Sequence, residues 1–196
     1  MRHDWLRGLV IAASTLPMVR LVLWPMAGLA GANPVEFVTR SSGTWALVFL
    51  LLALAVSPLR KITGMAWLMR LRRPLGLASF GYALAHLVTW VWLEHWFELA
   101  PMITDIFKRP FITAGFVALV LLVPLAVTST DTMMRRLGRR WGALHRLVYV
   151  AAVLAVLHYW WHKAGKADVI EPAMYALVLA VLLGWRIAAR WRRMRA

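Results

Sequence analysis

The chain contains no cysteine. That absence excludes disulfides, thiolate-bound zinc, iron–sulfur clusters and thioether-linked haem. Any transition metal must be held by His, carboxylate or Met. Acidic residues are scarce too: 8 Asp and Glu stand against 23 Lys and Arg, for a net charge of +15. Charged residues of both signs make up only 16% of the 196 positions, while 62% are hydrophobic. Soluble domains are about 45–50% apolar. A soluble chain of this composition cannot cover its own core. An ordinary globular domain, a disordered tail and a soluble nucleic-acid binder are thereby excluded. No strands are apparent and no G-x-G-x-x-G follows one, so nothing reads as a dinucleotide-binding domain. No internal repeat or low-complexity tract is apparent.

What is present is a series of long apolar intervals. A helix crossing a bilayer needs about 20 mostly apolar residues. Residues 41–59, 74–93 and 110–130 carry no Lys, Arg, Asp or Glu. Residues 8–35, 141–161 and 172–189 carry one each, namely Arg20, Arg146 and Arg186. The expectation is an all-α, polytopic membrane bundle filling residues 1–196 as one domain. Its six transmembrane helices are placed near 8–30, 41–59, 74–97, 110–130, 141–161 and 172–189. The first span reads as a retained helix. It is longer than the roughly 7–15 apolar residues of a secretory leader and lacks a small-residue cleavage site.

The basic residues are distributed unevenly. Seventeen lie in alternating segments: Arg2 and Arg7, the loops around 60–73 and 135–146, and the C-terminal run from Arg186. Five lie in the other loops: Arg40, Lys108, Arg109, Lys163 and Lys166. The positive-inside rule then places both termini in the cytoplasm. The clusters read as topogenic charge facing anionic lipid rather than as a nucleic-acid site. Trp24, Trp45, Trp90, Trp92, Trp96, Trp160 and Trp161 fall near the outer ends of spans. Trp5, Trp141, Trp185 and Trp191 fall near the inner ends. Such placement is an aromatic belt.

Three histidines lie within spans: His86, His145 and His158. His3 is in the tail, and His95 and His162 are near the outer surface. Ionisable groups in a bilayer mark function by default, and neutral imidazole is a normal iron ligand. His86 is expected about 10 Å and His158 about 5 Å below the outer ends of helices that run in the same direction. They can therefore face each other across one outer-leaflet cofactor. His145 precedes His158 by roughly 20 Å along one helix, a rise suited to a second cofactor. On a straight helix the two rings would differ by about 220° in azimuth, so the pair would be offset or the helix kinked. Gly76, Ser79 and Ala83 share a face with His86, and Ala151 and Ala155 share one with His158. Small residues leave room for a macrocycle or for close helix packing. Arg20 stands within a span and needs a partner, whether a haem propionate, a quinone oxygen or the interface. Arg72, Arg73 and Arg146 suit propionates, a flavin phosphate or lipid phosphate. For proton acceptance near the outer surface, Glu94, Asp105 and His95 are candidates. A channel or transporter using His as a proton relay is the non-redox alternative.

The segments RRPLGLASFGYALAHL (72–87) and LGRRWGALHRLVYVAAVLAVLHYWW (137–161) resemble the MsrQ (YedZ) family. So do SSGTWALVFLLLALAVSPLR (41–60) and PLAVTSTDTMMRRLG (124–138). These are the haem-binding membrane subunits of bacterial periplasmic methionine sulfoxide reductase systems, within the ferric reductase-like transmembrane proteins. The resemblance implies b-type haem, one or two per chain, and FMN. It implies an electron-transfer subunit in the bacterial inner membrane. Electrons would pass from the quinone pool to a periplasmic molybdenum-cofactor subunit, MsrP, where methionine sulfoxide is reduced. By the same resemblance His86 and His158 are the axial pair of the outer haem, and His145 serves a second haem. Two-haem relatives in the wider superfamily carry a further histidine where Arg72 stands here. A ferric reductase or b561-type cytochrome fed by a cytoplasmic flavin reductase is the alternative redox reading.

Overall fold

The computed structural model describes residues 4–165 and 168–195. Arg2, His3 and Lys166, which entered the sequence reading, lie outside the described residues. Every regular element among the described residues is helical. Six helical segments are long and apolar enough to cross a membrane, as expected: 5–26, 34–63, 66–94, 110–127, 139–164 and 170–192. The outward faces agree with a lipid surround. Leu9, Val19 and Leu23 of the first span and Leu177 and Val181 of the last are 48–66% exposed. A soluble protein rarely shows so continuous an apolar surface.

Helix α1 (Asp4–Met26) ends earlier than the expected 30, and residues 27–33 turn through Gly28 and Gly31, both with left-handed φ. Helix α2 (Pro34–Thr63) is much longer than the charge-free interval 41–59. Its start is written in the chain: Asn33 Oδ1 accepts the Glu36 N–H at 3.0 Å, and Pro34 occupies the first turn. Glu36 and Arg40 are both helical and pair at 2.5 Å. Their mutual neutralisation carries the helix through charges that the interval reading treated as its boundary. Gly64, at φ 72°, caps the far end by donating to the Arg60 carbonyl.

A 3-10 turn (Ala66–Leu71) leads into α3 (Arg72–Thr89), which continues as a π turn (Trp90–Glu94). Helix α4 (Leu99–Lys108) was not expected, being too short and too charged to register as a span. Helix α5 (Pro110–Val127) follows directly. Short helices α6 (Asp131–Leu137) and α7 (Arg139–Leu144) precede α8 (Leu147–Ala164), and α9 (Ile170–Arg195) closes the chain. The expected span 141–161 is thus not one straight helix. At His145 and Arg146 the backbone tightens into i→i−3 bonds, including Arg146 N–H to Ala143 O at 3.2 Å and Tyr149 N–H to Arg146 O at 3.1 Å. That break separates His145 from the helix that bears His158.

Helix α2 is the centre of the bundle. Half of its most apolar window is buried, against 11–22% in the other spans. Leu47, Leu50, Leu51 and Leu54 pack on Leu122 of α5, Ala151, Ala152 and Val156 of α8, and Leu179 of α9. Phe49, Ala53 and Val56, on another face, pack on Leu21, Leu75 and Tyr82. Ala151 and Ala152 are fully buried, and such small side chains let helices approach closely.

Candidate functional site: a paired-histidine pocket

One end of the bundle, termed outer below, holds a cavity of about 920 Å³. The opposite, arginine-rich end is termed inner. His86 on α3 and His158 on α8 project into the outer cavity, their ring centres 6.0 Å apart and their planes inclined at 69°. His86 Nδ1 is 2.8 Å from the Thr39 carbonyl oxygen on α2. His158 Nδ1 is 2.6 Å from the Phe111 carbonyl oxygen on α5. A carbonyl can only accept, so Nδ1 carries the proton on both rings. Each Nε2 is left with its lone pair, the state a metal ligand requires.

Each ring also rests on a glycine one helical turn beyond the carbonyl it uses. A Cβ at Gly43 would stand 3.1 Å from the His86 ring, and one at Gly115 would stand 2.8 Å from His158 Nδ1. The missing side chains open the helix groove so that an imidazole can lie in it and reach the carbonyl. The two halves repeat one construction. Phe111, Gly115, Leu122, Ala151 and His158 each lie 72 positions after Thr39, Gly43, Leu50, Ser79 and His86. Both carbonyl–imidazole pairs span 47 residues. Helix pair α2–α3 is therefore mirrored in build by α5–α8, a repeat that a plain reading of the chain does not reveal. Helix α1 and α9 flank the pairs.

The arrangement fits an iron porphyrin. A metal held between two imidazole nitrogens at about 2.0–2.1 Å puts the ring centres roughly 6 Å apart. Among the described residues no three His, Asp or Glu side chains converge as a bare ion would need. Two axial imidazoles suffice when a macrocycle supplies the remaining ligands. Ser79 and Ala83, expected beside His86, do line the cavity, as does Ala155; Gly76 instead lines the inner one. Ser79 is further tied to α2 by donating to the Ala46 carbonyl at 2.8 Å.

Of the other expected site residues, Arg20 borders the outer cavity. Its partner is aromatic: the guanidinium lies 3.8 Å over Trp24, which stacks on Phe37. Arg72, Arg73 and His145 are not brought to this cavity. They line a separate inner cavity of about 330 Å³. Glu94 faces the outer cavity. Asp105 instead sits between His95 Nε2 at 3.4 Å and Arg109 Nε at 3.3 Å. Residues not foreseen include Thr39, Gly43, Phe111 and Gly115, and the cations Arg40, Arg109 and Lys163 at the cavity wall.

The fold and site define a helical membrane protein built around paired histidines. The family described as "Ferric reductase like transmembrane component" matches residues 42–156, which include Gly43, His86, Phe111 and Gly115 but not Arg20, Thr39, Arg40 or the turn that bears His158 and Lys163. The chain is 56% identical over 192 residues to the protein-methionine-sulfoxide reductase heme-binding subunit MsrQ of Ralstonia nicotianae, covering 97% of this chain and 86% of that one. It is 52% identical over 188 residues to the MsrQ of Bordetella pertussis, covering 96% and 91%. The MsrQ of Azospira oryzae is 51% identical over 163 residues, covering 83% and 70%. The chain belongs to the MsrQ family of ferric reductase-like transmembrane proteins.

Proposed function

We propose that this protein holds a b-type haem between His86 and His158 and serves as the membrane electron-transfer subunit of a methionine sulfoxide reductase. The observation that carries the reading is the pair of imidazoles 6.0 Å apart, each with Nδ1 committed to a backbone carbonyl. When bound, haem supplies one-electron transfer at its iron. The chain's own residues set the conditions. Thr39 and Phe111 fix the tautomer and the ring orientation. Gly43 and Gly115 give the rings their seats. The buried leucines around α2 keep water out, which keeps the surrounding dielectric low. Arg20 supplies positive charge at the cavity wall, where an anionic propionate would find a partner, whereas Arg40 and Lys163 are already paired with Glu36 and with Asp168 and Glu171.

Electrons would come from quinol in the membrane and leave at the outer end to an MsrP-type subunit, where the sulfoxide is reduced. The basic inner end faces the cytoplasm in this reading, so the outer end faces the periplasm and the membrane is the bacterial inner membrane. The relay as proposed uses haem alone; FMN remains an implication of the resemblance. The support for the partner is that the relatives are heme-binding subunits of a protein-methionine-sulfoxide reductase.

The test is haem content with ligand variants. A pyridine haemochrome assay on purified wild type is expected to give b-type haem, and His86→Ala or His158→Ala should each cut it at least tenfold. Wild-type haem content in either variant overturns the site. Reduction of the bound haem by quinol, and reoxidation on adding the sulfoxide-reducing partner, tests the direction of transfer.

A further inference from the structure

Among the described residues, α4 belongs neither to a span nor to the arginine-rich inner end. Its ten residues make it about 15 Å long. It is strapped to the bundle, since Asp105 takes His95 from before the helix and Arg109 from after it. The Thr113 hydroxyl on α5 donates to the Ile106 carbonyl, and Ile106 lines the outer cavity. Successive residues on a helix are about 100° apart, which sorts α4 into three faces. Met102, Asp105 and Ile106 share the first and are turned to the protein. Leu99, Ile103 and Phe107 share the second and are 70%, 54% and 81% exposed. Thr104 and Lys108 share the third and are exposed as well. A helix with protein on one side and water on the other needs only two faces. Three faces answer to a place where protein, hydrocarbon and water meet. The turn before α4 points the same way. Trp96 and Phe97 hold left-handed backbone at φ 49° and 63°, a costly conformation for bulky side chains. Their side chains gain little from the protein in return, as the two residues are 72% and 64% exposed.

We propose that α4 lies in the outer lipid–water boundary and binds the membrane surface. Leu99, Ile103 and Phe107 dip toward the acyl chains, as the apolar face of an interfacial helix does. Trp96 sits at head-group level, where an indole is favoured. Lys108 and the exposed Arg109 reach the lipid phosphates from the end of the helix. The apolar row continues along the chain into the lipid-facing residues of α5, where Phe116, Val117 and Val120 are 40–50% exposed. A protein approaching from the water would meet Thr104 and Lys108 rather than that row. The side of α4 opposite the solvent carries Ile106 into the cavity wall, so lipid that seats the helix also holds that wall in place. This surface is separate from the haem reading and does not depend on it.

Because the chain has no cysteine, single cysteines can be labelled without background. The experiment uses the full chain in nanodiscs of phosphatidylcholine and phosphatidylglycerol, with bimane on Ile103→Cys, Phe107→Cys, Thr104→Cys or Val120→Cys. Lipid with a nitroxide near its head group should quench the label at 103 and 107 at least twofold more strongly than at 104. A nitroxide at the acyl-chain end should quench the label at 120 best. Iodide in the water should do the reverse, reaching 104 and sparing 103 and 107. Adding Phe107→Glu to the Ile103→Cys chain should lower its lipid quenching at least twofold, and Phe107→Leu should leave it unchanged, with circular dichroism showing both folded. Lys108→Gln should abolish the gain in quenching that phosphatidylglycerol gives over phosphatidylcholine alone. Iodide reaching 103 and 107 as readily as 104 would overturn the proposal, and the apolar row would then be open to a protein from the water side. Lipid quenching at 103 that is absent, or indifferent to Phe107→Glu, would overturn it as well.

Discussion

An imidazole can ligate a metal through Nε2 only if its proton sits on Nδ1, and Thr39 and Phe111 enforce that for His86 and His158. The glycines that let the rings reach those carbonyls carry a graded prediction. Gly115→Ala places a methyl 2.8 Å from His158 Nδ1, nearer than real contacts allow, whereas Gly43→Ala stands at 3.1 Å from His86. Overpacking of this kind costs about 1–3 kcal/mol. Gly115→Ala is therefore expected to lower haem occupancy several-fold and Gly43→Ala less, read as the Soret-to-protein absorbance ratio. Equal occupancy in both variants and wild type would show that the seats are unimportant. At this scale the histidines were legible in the sequence, because an ionisable group within an apolar span stands out. Their seats were not. A glycine on a helix is compatible with a turn, close packing or nothing at all. Only the contact between His86 and Gly43, repeated by His158 and Gly115, gives it meaning.

Within the helices, the charge-free intervals located all six spans but misplaced ends wherever a charge was locally satisfied. Glu36 and Arg40 neutralise each other inside α2. Arg186 is the deeper case. Its Nη1 donates to Leu182 O at 2.7 Å, and its Nη2 donates to the Leu54 carbonyl on α2. Leu54 lies one turn before Pro58, which has no N–H to offer. The arginine fills the hydrogen bond that proline leaves open and ties α9 to α2. An unsatisfied polar group in an apolar setting costs about 1–3 kcal/mol. Arg186→Leu should destabilise by about that much, and adding Pro58→Ala should recover most of the loss, since the carbonyl regains a helical donor. Thermal unfolding of the detergent-solubilised variants measures this. Simple additivity of the two substitutions would contradict the pairing. A lone arginine in a span gave no hint of this role, because the two halves of the bond lie 132 residues apart.

For the molecule as a whole, the class of fold followed directly from composition, since a chain so poor in charge has few soluble options. The repeat did not, because only a handful of positions, such as Gly43 with Gly115 and His86 with His158, keep the same residue at a separation of 72. Helical packing tolerates nearly any apolar exchange elsewhere. The asymmetry of charge predicts sidedness. Alkaline phosphatase fused after Glu98 should be active, and the same reporter fused at the C-terminus inactive. The opposite pattern would invert the proposed direction of electron flow. The central claim is that one iron is shared by His86 and His158, and the electron paramagnetic resonance spectrum of the ferric protein tests it most directly. Two imidazole ligands with planes inclined at 69° predict a strongly anisotropic low-spin signal, replaced by a high-spin signal in His86→Ala and His158→Ala. A high-spin ferric signal from the intact, fully haem-loaded protein would contradict the account.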